Sequence, residues 1–140
     1  MKAVVEWNGD VAFTGVTESG HRIAMDGPAD HGGRDLGPRP TELVLVGLGG
    51  CTSFDVVHML RKGRADVRGC TTHIEAERAP ADPKVFTRIH IHFVVSGRAL
   101  KEAAVERAIR LSADKYCSVS IMLAKTAEVT HSFEIIDVES

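Results

Sequence analysis

One long apolar segment, Thr41–Leu60, constrains what this chain can fold into more than any other part of its sequence. The segment is about as long as a bilayer span. However, Glu42, Asp55 and His58 lie within it, and charged side chains are rare and costly inside a membrane. We therefore expect a buried helix of a soluble protein and no membrane partner.

The ends of this helix carry recognisable signals. Pro40 and Glu42 fit a start, because proline is favoured at the first helical position and an acid in the first turn. Gly63 fits a stop after Lys62. Apolar residues occur on nearly all sides, so we expect a central position. Three glycines in the stretch GLGGC weaken the helix by about 1 kcal/mol each relative to alanine. They indicate either the close approach of a ligand or backbone, or ordinary packing.

The residues before the helix predict strands and a loop. Apolar or alternating stretches at Ala3–Trp7, Val11–Thr17 and Arg22–Met25 are separated by the turn signals NGD and SG, which indicates an antiparallel meander. The next stretch, Asp26–Pro40, is rich in glycine, proline, aspartate and arginine and has no periodicity. Loops this long in compact domains are usually functional or mobile.

The residues after the helix predict two strands, two helices and a closing strand. Their bounds are about Gly69–Arg78, Lys84–Ser96, Leu100–Ser112, Cys117–Lys125 and Val129–Val138. The order β-β-β-α-β-β-α-α-β is typical of an α+β fold, for which we expect antiparallel pairing. A chain of 140 residues is near the commonest domain size, so we expect a single domain over residues 1–140.

Charge and composition argue against several classes of partner. The formal net charge is −2 and no basic patch is evident, which argues against nucleic acid and anionic membranes. The N-terminal stretch MKAVVEWNGD lacks the apolar run of a signal peptide. We therefore expect a cytoplasmic protein, in which three cysteines do not form a disulfide framework.

Two of the three cysteines are candidates for reactive thiols. Cys51 lies within the long helix, directly after glycines that leave the preceding turn nearly bare. Cys117 comes just before a short helix, where the partial positive charge of a helix N-terminus stabilises a thiolate. Each could equally be a small core residue. Cys70, at a predicted strand start, is better explained as a structural thiol.

Other chemically capable residues have simpler explanations. His90 and His92 lie two apart on a strand and so on one face, but structural zinc sites almost always use four ligands, and no CxxC or acid pair accompanies them. We expect an exposed or partner-facing pair and no metal. His58 lies about 10 Å from Cys51 along the helix axis, too far for a direct base. Trp7 is expected to be a packing residue.

The surroundings of the two candidate cysteines are more specific than either residue alone. A resemblance to the OsmC/Ohr family of thiol-dependent peroxidases is carried by RPTELVLVGLGGCTSFDV and DKYCSVSIMLAKTAEVTHSFEI. The order of elements and the WNGD turn agree with it. The blocks DVVHMLRKGRADV and HIHFVVSGRALKEAAVERAI look closest to the YhfA-like branch. The resemblance covers nearly the whole chain.

That resemblance implies a fold and a mechanism. The implied OsmC-like fold has antiparallel sheets wrapped around long central helices in an intertwined homodimer, with active sites at the interface and no metal or organic cofactor. By position, Cys51 would attack an organic hydroperoxide and become a sulfenic acid. Cys117 would then condense with it to a disulfide, which a dithiol reductant, of lipoyl type in close relatives, would reduce.

The resemblance also implies activating residues. In the family, an arginine from a preceding loop activates the first cysteine and is held by a glutamate at the start of the central helix. Thr41 occupies that acidic position here, and Glu42 follows it. Of the arginines, Arg34 is favoured over Arg22 and Arg39, since neighbouring glycines would let it swing in.

A second function fits the same residues. A non-enzymatic redox-responsive or small hydrophobic ligand-binding stress protein could keep the fold and the thiols without fast turnover. The shifted acid at Glu42 is the sequence feature that distinguishes the two possibilities.

Overall fold

The computed structural model describes residues 1–139, which divide into two compact units. The first comprises Met1–Val46 and the second begins at Gly47. The boundary falls within the long helix, α1 (Pro40–Lys62), which has the bounds expected from the sequence. That the chain forms a single domain stays a prediction.

The first unit contains the expected meander. Strands β1 (Ala3–Trp7), β2 (Phe13–Thr17) and β3 (Arg22–Met25) pair antiparallel in that order. All of β1 is exposed, including Trp7, whose side chain is 67% accessible. The expectation that Trp7 packs is therefore wrong for the single chain. Its indole N–H donates to the carbonyl of Asp10 at 2.9 Å.

The loop after β3 is organised by one buried carboxylate. Asp26 accepts the backbone N–H of Gly27 at 2.7 Å, and those of Arg34 and Leu36 at 3.2 Å each. The pKa of Asp26 lies below its usual value, and the hydrogen bond from the Gly27 N–H is the largest cause. The loop therefore has defined internal hydrogen bonds. It also contains one turn of 3-10 helix at Ala29–His31.

The helix α1 is buried along one stripe only. Its buried residues recur every fourth position, which defines a single face: Leu48, Thr52, Val56 and Leu60. Other apolar side chains on the same helix are exposed, among them Val46 and Phe54, each at 68%. The expected central position of α1 is therefore not observed in the single chain. By length and composition α1 could cross a bilayer, a property that core helices of soluble proteins share.

The glycines of α1 have different surroundings. A Cβ added at Gly49 would lie 2.9 Å from the Cδ1 atom of Ile74, so this glycine allows α1 to approach the neighbouring strand. Gly47 and Gly50 have no such neighbour within 4 Å. Packing therefore explains Gly49, while the other two leave open space beside the helix.

The second unit contains a three-stranded sheet in the order β4-β5-β6. The pair β4–β5 is antiparallel, but β5–β6 is parallel, so the expectation of antiparallel pairing is wrong for the last strand. The reason is the helical crossover between β5 and β6, which returns the chain to the end of the sheet where β5 begins. The bounds are β4 Asp66–Arg78, β5 Phe86–Arg98 and β6 Glu128–Asp137.

The crossover consists of two helices joined by a turn of π-helix. These are α2 (Glu102–Leu111), the π-turn (Ser112–Tyr116) and α3 (Ser118–Leu123). The π-turn occupies the interval between the two helices that the sequence predicts. Strand β4 begins earlier than expected, so Cys70 lies within a strand and not at its start.

Candidate active site

Cys51 and Cys117 come together in the second unit. Cys51 is half-buried on α1, and Cys117 is fully buried between the π-turn and α3. The Cys51 thiol is a direct side-chain neighbour of Cys117 and opposes its ionisation. Both cysteines are free thiols. The structure thus places the two thiols in side-chain contact with each other.

The backbone around Cys117 fixes its sulfur. Its N–H donates to the carbonyl of Ser112 at 2.8 Å, which closes the π-turn. Its sulfur accepts the backbone N–H of Ser120 at 3.3 Å and so caps α3. A residue bound at both ends of a turn has little freedom, and the thiol is held in place before any chemistry begins.

Burial dominates the electrostatics of Cys117. It raises the pKa of this thiol well above its usual value, and the neighbouring Cys51 thiol and the Asp55 charge act in the same direction. Only the Ser120 N–H acts in the opposite sense. The N–H of Ser120, in the first turn of α3, thus acts on the Cys117 thiolate as expected, but desolvation outweighs it and the net pKa is raised. Burial thus favours the protonated form of Cys117.

A buried polar chain lies beside the thiols and was missed from the sequence. The hydroxyl of Ser112 donates to Oδ2 of Asp55 at 2.9 Å and lies 3.0 Å from Oγ1 of Thr52. Ser112 and Thr52 are essentially inaccessible. The sequence signal for this chain is Asp55, an acid one turn after Cys51 in a largely apolar helix.

Glu42 lies in the first unit and caps α1. Its Oε1 accepts the backbone N–H of Arg39 at 2.8 Å, and Pro40 occupies the first helical position. This is the reciprocal bond of a capping box, in which the third helical residue satisfies the N–H of the capping residue. The Glu42 carboxylate is thus engaged by the helix end, and a role in activating Cys51 stays a prediction.

The candidate arginines also belong to the first unit. Arg34 is exposed, and its backbone N–H binds Asp26. The guanidinium of Arg39 pairs with Asp35, which raises the pKa of Arg39, while Arg22 is exposed on β3. Which arginine activates Cys51, with Arg34 favoured, stays a prediction.

Two glycines near Arg34 lie where backbone segments of the loop approach closely. A Cβ at Gly33 would lie 1.9 Å from the carbonyl oxygen of Gly27, and one at Gly37 would lie 2.5 Å from that of Ala24. Both are therefore positions of close backbone approach. Close packing therefore explains these two glycines, and the movement of Arg34 toward Cys51 stays a prediction.

Two open grooves lie along α1 in the second unit. One of about 890 Å³ is bordered by Gly50, Phe54 and Cys70, and one of about 770 Å³ is bordered by Asp55 and Tyr116. Within residues 1–139, neither groove is lined by Cys51 or Cys117. Cys70 is half-buried, with its sulfur 3.9 Å from Oγ1 of Thr72, and its structural role stays a prediction.

His90 and His92 share one face of the sheet, as expected. His90 Nε2 and His92 Nδ1 each lie 2.7 Å from the hydroxyl of Ser132, and His90 Nδ1 lies 2.7 Å from that of Thr130. In the described part of the chain, no group of three metal-binding side chains is suitably arranged. The two imidazoles are instead engaged with strand hydroxyls.

Comparisons with known proteins find similarity over most of the chain. The family model described as OsmC-like protein matches residues 31–132. Protein YhfA from Escherichia coli (strain K12) is 48% identical, and the match covers 97% of this chain and 98% of that protein.

Solved structures extend the similarity. A hypothetical protein from Aquifex aeolicus VF5 has 30% identity and a TM-score of 0.87, with 99% of this chain and 97% of that chain covered. An organic hydroperoxide resistance protein from Elizabethkingia anophelis shares the fold at 15% identity and a TM-score of 0.70, covering 96% and 94%.

Proposed function

Because this chain belongs to the OsmC-like protein family, we propose that it reduces organic hydroperoxides through Cys51 and Cys117. The observation that carries the proposal is the half-buried Cys51 thiol directly beside the fully buried Cys117 thiol. One solved protein with the same fold is an organic hydroperoxide resistance protein, which gives the substrate class.

The first step oxidises Cys51. Its thiolate attacks a peroxide oxygen, the O–O bond breaks, and the leaving alkoxide takes up a proton to become an alcohol. The sulfur is left as a sulfenic acid. Cys51 is the better candidate for this step, because the thiolate is the nucleophile and Cys117 is buried with a raised pKa.

The second step forms the disulfide, and the third restores both thiols. The Cys117 sulfur attacks the Cys51 sulfur, and the released hydroxide combines with the Cys117 proton as water. A dithiol of lipoyl type then supplies two electrons and two protons by thiol–disulfide exchange. The protein needs no metal or organic cofactor in this scheme.

We further propose that the working form is a cytoplasmic homodimer. Exposed large apolar residues support this assembly: on α1 they include Val46 and Phe54, and on β1 they include Val4, Val5 and Trp7. A monomer would leave these side chains in water, whereas a second copy could cover them. Light scattering after size-exclusion chromatography should give twice the mass of 15.1 kDa.

The direct test measures peroxide consumption. Reduced protein is mixed with cumene hydroperoxide and dihydrolipoamide, and wild type is compared with Cys51→Ser and Cys117→Ser. We expect turnover in wild type, none with Cys51→Ser, and a single oxidation with a trappable sulfenic acid for Cys117→Ser. Equal rates for wild type and Cys51→Ser would reject the proposal. Oxidation without turnover would favour the non-enzymatic, redox-responsive function.

A further inference from the structure

Asp55 and Cys51 lie on the same face of α1. They are four residues apart, which is about one helical turn. The carboxylate of Asp55 accepts the hydroxyl hydrogen of Ser112 at 2.9 Å, across a separation of 57 residues in sequence. Thr52 reaches the same hydroxyl at 3.0 Å. The helix that carries Cys51 is therefore bonded by side chains to the first residue of the π-turn.

Ser112 also binds the other cysteine. Its backbone carbonyl accepts the N–H of Cys117 at 2.8 Å. One buried residue thus contacts the Cys51 helix through its side chain and Cys117 through its backbone. Turns of π-helix are rare overall, but those that occur are often found at functional sites. Here the π-turn ends on the buried thiol.

We propose, on the basis of the proposed function, that Asp55 is a positioning residue for disulfide formation: through Ser112 it fixes the turn that holds the Cys117 sulfur beside Cys51. Hydrogen bonds to a charged group are stronger than those between neutral groups, so a carboxylate anchors the buried hydroxyl firmly. Asp55 also borders the groove of about 770 Å³, which gives its charge access to water.

The charge of Asp55 has a second effect on the same step. It opposes the ionisation of Cys117 and so favours the protonated thiol in the reduced protein. The proton is lost only when Cys117 forms the S–S bond, and it leaves in the water released from the Cys51 sulfenic acid.

The first experiment measures the geometry without peroxide. Reduced full-length protein is equilibrated in glutathione redox buffers, and the effective concentration of the Cys51–Cys117 pair is obtained from the fraction of disulfide. Asp55→Ala and Ser112→Ala should lower it by about tenfold, the loss expected for a hydrogen bond to a charged group. Asp114→Ala, an exposed acid in the same π-turn, is the matched control and should change it less than about twofold.

The second experiment separates position from charge. Asp55→Asn keeps an oxygen that accepts the Ser112 hydroxyl hydrogen but removes the charge. It should recover most, but not all, of the effective concentration that Asp55→Ala loses, since a neutral hydrogen bond is weaker than one to a carboxylate. It should also move the pH profile of sulfenic acid loss, followed by dimedone trapping, toward lower pH. A purely structural role would leave this profile where it is in wild type, and that outcome would overturn the electrostatic part.

The outcomes distinguish this proposal from the proposed function. If wild type consumes no peroxide but forms the disulfide in glutathione buffer, the peroxidase is rejected and the role of Asp55 is still measured. If Asp55→Ala and Ser112→Ala match Asp114→Ala, or if wild type forms no Cys51–Cys117 disulfide, the positioning role is overturned. Circular dichroism checks the fold, and Ser112→Ala decides the question should Asp55→Ala not fold.

Discussion

The sulfur of Cys117 accepts the backbone N–H of Ser120 at 3.3 Å, so the buried thiol is also the cap of α3. This bond gives Cys117 a structural role as well as the proposed chemical one. Variants at this position will therefore change both the stability and the reactivity of the protein, and the two effects have to be measured separately.

Cys117→Ala should destabilise the protein more than Cys117→Ser. Alanine removes the cap acceptor and leaves a small cavity, which together cost about 1–3 kcal/mol. Serine retains an oxygen that can accept the N–H of Ser120, so the Cys117→Ser variant should lose less stability. Urea unfolding of the two variants gives the comparison, with Cys70→Ala as a cysteine control. Equal losses for the two variants would show that the cap contributes little.

The three thiols should differ in their reactivity toward iodoacetamide. Cys117 is fully buried and has a raised pKa, whereas Cys51 and Cys70 are half-buried. Because the accessible thiolate is the reactive form, we expect Cys117 to be alkylated last in the folded protein and readily in urea. Peptide mass spectrometry over a time course measures this order. Early labelling of Cys117 would contradict the burial described above.

The raised pKa of Cys117 also predicts how stability depends on pH. Above the ordinary thiol pKa of about 8.5, the unfolded chain loses this proton while the folded protein retains it. The folded state then binds more protons, so stability falls as pH rises. This contribution is fully present below pH about 8.5 and is lost as pH rises toward the folded pKa. Urea unfolding at several pH values, with Cys117→Ser as the control, should show a steeper decline in wild type.

Local sequence patterns were sufficient to predict the elements of this fold. Alternation in β5 places Ile89, Ile91 and Phe93 in the core and His90 on the other face, as a period of two requires. The direction of β6 could not be derived in the same way. The direction of β6 depends on how the crossover helices pack, and the residue pattern within the strand does not determine this.

The candidate site was predictable only where its residues lie in recognisable stretches. Cys51 and Cys117 each carry a local motif. The bond between Asp55 and Ser112 joins residues that are distant in sequence, and although Asp55 is an acid in an apolar helix, nothing local indicates Ser112 as its partner. Likewise, Gly33 could be a hinge or a packing position, and only the backbone beside it distinguishes the two.

Glu42→Ala and Glu42→Gln should separate the cap from a catalytic role. Loss of a helix cap costs about 0.5–2 kcal/mol, so Glu42→Ala should be less stable than wild type. Glutamine still accepts the N–H of Arg39 and should restore most of that stability. If Glu42 only caps α1, peroxide consumption by the Gln variant should stay within about twofold of wild type, because the substitution then removes no group that the reaction uses. A large loss of rate at unchanged stability would instead show that the carboxylate charge takes part in the reaction.

Gly33→Ala should disrupt the loop between β3 and α1. The added Cβ would overlap the Gly27 carbonyl, which belongs to the backbone and cannot move aside without moving the loop. Overpacking of this kind costs about 1–3 kcal/mol. We expect lower stability together with faster cleavage of the loop by protease. Gly47→Ala, whose Cβ meets no atom within 4 Å, is the glycine control and should not open the loop. Wild-type stability and protease resistance in Gly33→Ala would show that this close approach does not hold the loop.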